Sequence, residues 1–360
     1  MIEEVNLADV CDIIAGQSPP SSTYNQEGNG VPFFQGKADF GEIYPTVRYW
    51  CNSPKKMSKP DDILFSVRAP VGPTNINNIT ACIGRGLAAI RCNNIERNYL
   101  LHYLRGNEEK IASLGSGSTF KAITIGTLKE LKIPLPPIDQ QKKIAAILDA
   151  ADAYRQKTKA LITKYDDLTQ SLFLDMFGDP VSNPMGWNEV IFTEVLVLRR
   201  GFDLPRQDRI KGEYPIMASN GILDWHNEFK VEGPGVVTGR SGTLGKVHYI
   251  EGDYWPLNTA LYSQKLNGNN PIYLIYLIRN FRVERFSRGA GVPTLNRNLV
   301  HAETIMTVPI ELQNKFAERV QAIEAQKAQA QASLAQAKDL FNSLLQKAFK
   351  KKGELLIINY

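Results

Sequence analysis

The sequence lacks the residue patterns on which common metal and redox sites depend. Its 360 residues include four cysteines and four histidines. No two cysteines form a Cys-x-x-Cys pair, and the histidines do not have the His-Glu-x-x-His spacing of a zinc site. We therefore interpret the cysteines as reduced interior thiols and predict no metal site in this chain. The cysteines are Cys11, Cys51, Cys82 and Cys92.

Long apolar segments are absent as well. The longest aliphatic and aromatic run, IYLIYLI at 272–278, is much shorter than the ~20 residues that span a bilayer. The first residues, MIEEVNLADV, are acidic and lack the apolar core of a secretory signal. We expect a cytoplasmic protein.

Motifs for catalysis and nucleotide binding are also missing. GRSGTLGKV (239–247) has too many residues between its glycines for a Walker A loop, and valine follows its lysine. GSGSTF (115–120) ends in phenylalanine where a dinucleotide-binding loop needs glycine. Residues 60–61 (PD) and 130–132 (ELK) imitate a nuclease signature, but we interpret them as separate carboxylates. We predict no catalytic residue.

The bulk composition is that of an ordinary globular chain. Hydrophobic residues make up 43% and charged residues 22%, and the net charge is +5. The length favours two domains, and the mildly basic balance is compatible with an acidic partner without establishing one.

The sequence does contain an internal repeat. IPLPPIDQQKKIAAILD (133–149) is matched by VPIELQNKFAERV (308–320), so that Pro137 aligns with Pro309 and Gln141 with Gln313. Strand-like segments broken by glycine and proline precede each copy. The predicted divisions are a first globular domain, a long helix, a second globular domain, a second long helix and a tail, at residues 1–137, 138–180, 181–308, 309–352 and 353–360.

The two long segments after the prolines have the pattern of coiled-coil helices. At 1.5 Å per residue, the first would extend about 60 Å. Its expected seam is Ile147, Ala151, Tyr154, Thr158, Leu161, Tyr165, Leu168 and Leu172. The helix residues that we predict to hold helix and subunit partners are Ile144, Leu148, Leu161, Leu168, Leu172, Phe316, Val320, Leu334, Phe341 and Leu344.

Arginine and lysine occur repeatedly beside glycine in loop-like segments of both globular domains. Arginine is the main reader of guanine edges, lysine mostly contacts phosphate, and glycine lets a backbone approach DNA closely. Acidic residues nearly balance these charges, so charge alone does not establish DNA binding. The predicted DNA-binding residues are Lys37, Arg48, Arg68, Arg85, Lys121, Arg199, Arg206, Arg240, Lys246, Arg288 and Arg297, and Arg200 and Arg209 lie in the same segments.

These features together resemble the DNA-specificity subunit of type I restriction-modification systems. The resemblance rests on the repeated element at 133–149 and 308–320, on GQSPPSSTYNQEGNGVPFFQGKADF (16–40) and on LGSGSTFKAIT (114–124). It covers essentially the whole chain. The second copy departs from the first in having ASN at 218–220 where the first has QGK.

The resemblance implies an α+β fold in which two similar mixed α/β target-recognition domains are joined by two long antiparallel coiled-coil helices with pseudo-two-fold symmetry. It implies a non-catalytic subunit that reads a bipartite, asymmetric double-stranded DNA target. It also implies two methyltransferase subunits docked on the helices, with restriction-translocase subunits joining them. S-adenosylmethionine, ATP and Mg are then expected in those partner subunits and no cofactor in this chain.

Two alternatives stay open at the level of sequence. A stand-alone restriction or modification enzyme would need a convergent carboxylate or cofactor site, and binding of S-adenosylmethionine by the chain would favour it. Retained affinity after Arg240→Ala combined with Arg68→Ala would favour a coiled-coil adaptor without DNA binding.

Overall fold

The structure is a computed structural model that describes residues 3–117, 121–289 and 293–349. The fold is α+β and divides into two compact units. The first unit lies within 1–158 and 333–360, and the second comprises 159–332. The expected tail, 353–360, lies outside the described residues.

The first unit begins with a globular part of short strands and helices. Its strands are β1 (Glu4–Asn6), β2 (Cys11–Ala15), β3 (Tyr24–Asn25), β4 (Val31–Phe34), β5 (Tyr49–Cys51), β6 (Met57–Ser58), β7 (Ile63–Ser66), β8 (Thr74–Ile76), β9 (Ala81–Ile83), β10 (Leu87–Cys92) and β11 (Lys132–Pro134). Its helices are α1 (Leu7–Val10), α2 (Arg97–Gly106), α3 (Glu108–Ser113) and α4 (Ile125–Lys129). The long helix α5 (Ile138–Phe177) follows.

The second globular part repeats this order. Its strands are β12 (Glu189–Ile191), β13 (Val197–Arg200), β14 (Tyr214–Ala218), β15 (Gly221–His226), β16 (Gly235–Gly239), β17 (Val247–Ile250), β18 (Trp255–Pro256), β19 (Ala260–Lys265), β20 (Ser287–Arg288), β21 (Thr294–Leu295) and β22 (Thr304–Met306). Its helices are α6 (Phe192–Val195), α7 (Pro271–Phe281) and α8 (Arg297–His301). The long helix α9 (Ile310–Phe349) follows.

The sheets of the two units have the same topology. The order β2-β10-β7-β8 in the first unit corresponds to β13-β19-β16-β17 in the second, and the pair β1-β11 corresponds to β12-β22. A further sheet contains β5-β4-β9 in the first unit and β15-β14-β18 in the second. β4 runs parallel to β9, and β14 runs parallel to β18. The repeat that was inferred from the sequence is therefore a repeat of topology.

Each unit has one main core between its antiparallel sheet and its helices. In the first unit, β2, β7 and β10 pack against α2, the beginning of α5 and the end of α9. In the second, β13, β16 and β19 pack against α7, the end of α5 and the beginning of α9. Cys11, Cys51 and Cys82 are buried and Cys92 is half-buried, all as free thiols. Each core thus uses the start of one long helix and the end of the other.

Within each unit the two long helices run antiparallel. In the first unit, the guanidinium of Arg155 lies 4.9 Å from the ring centroid of Phe341, and Phe349 packs against Tyr99 near the beginning of α5. In the second, Phe177 packs against Phe316, and Asp166 pairs with Lys327 at 2.5 Å. In both, the position along α9 rises as the position along α5 falls.

The predicted seam of α5 was wrong at three positions. Tyr154, Leu161 and Leu168 are 55%, 42% and 48% exposed, whereas Thr158, which belongs to the predicted seam, and Thr169, which does not, are buried. Each threonine hydroxyl donates to a carbonyl of its own helix turn, so a polar side chain can face the interior at little cost. The apolar heptad pattern therefore included an exposed row, Tyr154, Leu161 and Leu168, and missed the buried Thr169.

Five of the ten helix residues predicted to hold partners are buried and pack within this chain. These residues are Ile144, Leu148, Phe316, Val320 and Phe341. Leu172, Leu334 and Leu344 are half-buried. Of the predicted set, Leu161 and Leu168 are the two exposed members.

The repeated glutamine explains the motif that opens each long helix. Gln141 is 2% exposed, accepts from the backbone N–H of Glu96 at 2.8 Å and donates to the carbonyl of Pro136 at 2.7 Å. Gln313 is 1% exposed and bonds Asn270 N–H and the Val308 carbonyl in the same way. This side chain fastens the first turn of a long helix to the first turn of α2 or α7.

Substitution of this glutamine should destabilise the unit. Gln141→Leu keeps the approximate volume but leaves a buried donor and a buried acceptor without partners, so we expect a loss of about 1–3 kcal/mol in the free energy of unfolding. Gln140→Leu, one position earlier and half-buried, is the matched control. Urea unfolding of both variants checks this, and equal stabilities would contradict the assigned role.

Candidate DNA interface

Glycine-rich loops of the first unit converge at one edge of its sheets. This loop edge consists of residues 16–18, 35–37, 67–68, 84–86 and 121–123. The hydrogen bonds that join the loops are Gln17 N to Ile83 O (2.9 Å), Gly84 N to Phe34 O (2.8 Å), Val67 N to Gly86 O (3.0 Å), Ile123 N to Val67 O (3.0 Å) and Arg85 N to Ser18 Oγ (3.1 Å).

The loop edge brings together four of the predicted DNA-binding residues of this unit. Lys37, Arg68, Arg85 and Lys121 are all exposed and extend from neighbouring loops. Arg68 lies opposite Ala122 in a β-bridge, which places it beside Lys121. Exposed cations on a shared edge form a surface that a nucleic acid backbone and its base edges can contact.

Arg48, also a predicted DNA-binding residue, pairs with a buried carboxylate of its own unit. Its guanidinium binds Asp39, with Nη2 2.5 Å and Nε 2.9 Å from Oδ1. The other oxygen of this buried carboxylate accepts from the backbone N–H groups of Gln35 at 2.6 Å and Gly36 at 3.2 Å. Arg48 therefore holds the loop at 35–37 in place through Asp39.

The second unit builds the same edge with the same hydrogen bonds. Its loop edge consists of residues 201–203, 218–220, 240–241, 257–259 and 293–295. The bonds are Phe202 N to Pro256 O (2.8 Å), Leu257 N to Met217 O (2.8 Å), Arg240 N to Thr259 O (2.9 Å) and Leu295 N to Arg240 O (2.7 Å). They correspond in order to the first four bonds of the first unit.

Close backbone packing at this edge requires glycine in both units. A Cβ atom on Gly16 would lie 2.1 Å from the carbonyl oxygen of Gly84, and one on Gly201 would lie 2.3 Å from that of Leu257. Both glycines end the first strand of the antiparallel sheet. Glycine is therefore needed at both positions, where the loops meet.

The matched bonds show which residues occupy equivalent positions. Residues 35–37 (QGK) correspond to 218–220 (ASN), as the sequence comparison indicated. The basic residues Lys37, Arg68, Arg85 and Lys121 correspond to Asn220, Ser241, Asn258 and Pro293. The two units thus carry different side chains on one backbone scaffold.

Arginines line a cavity of about 390 Å³ at the loop edge of the second unit. Arg200, Arg240, Arg288 and Arg297 surround it, together with Asn296 and Asn298. Nη1 of Arg240 donates to the carbonyl of Asn258 at 3.0 Å, which fixes the direction of this guanidinium. We refer to this group as the arginine cavity.

The other predicted residues of the second unit lie outside the lining of the arginine cavity. Arg199, Arg206 and Lys246 are exposed, and Arg209 donates to the carbonyl of Leu204. The sequence patterns did not single out Asn296 or Asn298. Asn296 precedes α8 and Asn298 lies in its first turn, and only the fold places both in the lining of the arginine cavity.

Across residues 3–117, 121–289 and 293–349, no three or more histidine, cysteine or acidic side chains are arranged to hold a metal ion. Over the same part of the chain, none of the helices combines the length and apolar character needed to cross a membrane.

Comparison with known proteins agrees with this arrangement. A family model described as the type I restriction modification DNA specificity domain matches residues 2–164 and again residues 184–338. The chain therefore belongs to the family of type I restriction-modification DNA specificity domains, with two copies of the domain.

Two relatives from Methanocaldococcus jannaschii bear the names of type I restriction enzyme specificity subunits. The MjaX protein is 49% identical over 167 residues, which make up 45% of this chain and 39% of that protein. The MjaIX protein is 24% identical over 230 residues, 56% of this chain and 53% of that protein. The chain thus aligns with only about half or less of either relative.

A crystal structure supports the fold over nearly the whole chain. The type I restriction-modification S subunit from M. genitalium superposes with a TM-score of 0.64 at 18% identity, covering 98% of this chain and 97% of that one. At this identity the similarity establishes the fold alone.

The histidine beside the arginine cavity should make the stability of the second unit depend on pH. Burial lowers the pKa of His301, and the charge of Arg297 lowers it further. Nε2 of the neutral ring accepts from the backbone N–H of Leu198 at 3.0 Å. Protonation removes this acceptor, so the stabilisation is present above the unfolded pKa of about 6.5 and is lost as the pH falls towards the lower folded value.

We expect His301→Gln, which retains an acceptor but does not titrate, to lose less stability than wild type between about pH 7.5 and pH 5.5. The measurement is urea unfolding of both proteins across this range. His248, whose pKa is also lowered by burial, contributes equally to both and cancels in the difference. Parallel stability curves would contradict the role of His301.

Proposed function

We propose that this chain is the DNA-specificity subunit of a type I restriction-modification system, in which each unit reads one half of a split, asymmetric target. One observation carries the proposal. The same loop edge is built twice by the same backbone hydrogen bonds, and its side chains differ between the two units. A common scaffold presents readers to DNA in the same way, while different readers select different bases.

The exchange of side chains supports an asymmetric target. Where the first unit has Lys37, Arg68 and Arg85, the second has uncharged residues. Hydrogen-bonding partners in the major groove differ for each base pair, so two edges with different donors and acceptors select two different half-sites. Two identical edges would instead favour a palindrome.

The catalytic chemistry in this proposal belongs to partner subunits. Methyl transfer from S-adenosylmethionine and the ATP- and Mg-dependent steps of restriction would take place on two methyltransferase subunits and on restriction-translocase subunits, in the cytoplasm. This chain contributes binding and positioning. Its two long helices would hold the partners and set the spacing of the half-sites, as dimer geometry does in other DNA-binding proteins.

The exposed row on α5 supports docking of a partner. Tyr154, Leu161 and Leu168 recur every seven residues and stay largely exposed. Such a row on one helix face is the pattern by which a helix packs against another protein. We propose that a methyltransferase subunit covers it.

Methylation sequencing tests the proposed function. When the chain is expressed with its methyltransferase subunit in a host without DNA methylation, we expect one split, non-palindromic motif with modified adenine. Arg68→Ala should relax the bases accepted in one half of this motif and leave the other half unchanged, because Arg68 belongs to one loop edge only.

Two results would contradict the proposal. One is methylation by the chain alone, since that would make it an enzyme. The other is a motif that relaxes in both halves after the single substitution, since that would mean that the units do not read separately.

Substitutions in the exposed row test the docking of the methyltransferase subunit. Leu161→Asp combined with Leu168→Asp should abolish copurification with that subunit while the protein stays folded, because both positions are exposed and the lower helix propensity should cost about 1 kcal/mol in total. Thr163→Asp, on the opposite helix face and also exposed, is the control. Retention of the subunit by the double variant would exclude this row as its docking surface.

A further inference from the structure

The arginine cavity gathers positive charge without matching negative charge. Four guanidinium groups come from four separate segments of the second unit. Among the described residues, the ion pair that involves one of these arginines joins Arg200 to Asp203 at 3.7 Å, and the side chain of Asp203 is 69% exposed. Within the described part of the chain, no carboxylate forms an ion pair with Arg240, Arg288 or Arg297. Like charges around one cavity repel, and a bound anion would relieve that repulsion.

The number of donors favours a phosphate over a base edge. Guanine offers two acceptors, O6 and N7, in the major groove, and one arginine in bidentate contact occupies both. A phosphate group carries a full negative charge and presents several oxygens to planar guanidinium groups. Four arginines around about 390 Å³ therefore match the DNA backbone better than a single base.

The first unit has no such charge at the equivalent positions. Gly16 and Gly201 are equivalent, so Arg200 corresponds to Ala15. The matched bonds relate Arg240 to Val67. Arg297 is the first residue of α8 and Ile125 is the first residue of α4, so these two correspond. Arg288 pairs with Thr294 across two strands as Ser116 pairs with Ala122, so Arg288 corresponds to Ser116. All four counterparts (Ala15, Val67, Ser116 and Ile125) are uncharged.

We propose that Arg200, Arg240, Arg288 and Arg297 form a clamp for DNA backbone phosphate in the second unit that has no counterpart in the first. The inference rests on the proposed DNA-specificity function and adds a division of labour to it. The second unit supplies more of the salt-dependent affinity through this clamp. The first unit depends more on the separate cations Lys37, Arg68, Arg85 and Lys121.

Salt dependence of DNA binding tests the clamp. The full chain, in complex with its methyltransferase subunits, is titrated with two duplexes, one containing the motif that methylation sequencing identifies and one of random sequence. The binding constant K is measured for each between about 50 and about 200 mM salt. Because the slope counts the phosphates that are neutralised, Arg288→Gln and Arg297→Gln should each reduce the slope of log K against log salt, and the double variant should reduce it by about 1. Affinity should fall by the same factor on both duplexes.

Lys265→Gln is the matched control, because Lys265 is exposed at the opposite end of the strand pair that carries Arg200. It should leave the slope unchanged. Thermal unfolding verifies that each variant is folded, and Arg200→Gln replaces either variant that is not.

The remaining outcomes separate the clamp from the function on which it rests. An unchanged salt slope would overturn the clamp. A loss of affinity confined to the target duplex would also overturn it, because that result would identify the arginines as base readers. A wild-type complex that does not prefer the target over random sequence would overturn the proposed function itself.

Discussion

The close contact of backbones at the loop edge is the constraint on which the remaining structure depends. Gly16 and Gly201 end their strands against carbonyl oxygens that leave no room for a side chain. Around each glycine, the same backbone hydrogen bonds connect segments that are far apart in sequence. Because these bonds involve only backbone atoms, the side chains of the edge can differ without changing how the loops are held.

This separation of scaffold and surface accounts for the difference between the two units. The first presents exposed cations on separate loops, and one of its arginines, Arg48, is committed to holding a loop through Asp39. The second surrounds a cavity with arginines and has asparagine, serine or proline where the first has exposed lysine or arginine. A duplicated fold can therefore present two chemically distinct surfaces to DNA.

The long helices depend on polar as well as apolar contacts. Gln141 and Gln313 fasten their first turns to the globular parts, and the ends of both helices complete the cores of the units. Buried threonines lie between these anchored ends and satisfy their hydroxyls within the helix. This arrangement leaves Tyr154, Leu161 and Leu168 exposed, so the apolar row that resembled the internal seam is the surface available to a partner.

The sequence by itself determined the internal repeat and the two long helices, because proline, glycine and glutamine at fixed spacing and apolar periodicity are local properties. The resemblance of its motifs to a known family indicated that family and, through it, the α+β class. It also indicated the equivalence of 218–220 with 35–37. Only the tertiary structure decided that Arg48 supports a loop, that Leu161 and Leu168 are exposed while Thr169 is buried, and that four arginines meet at one cavity. These features depend on which distant segments are brought together, and backbone hydrogen bonds between loops have no signature in the order of the residues.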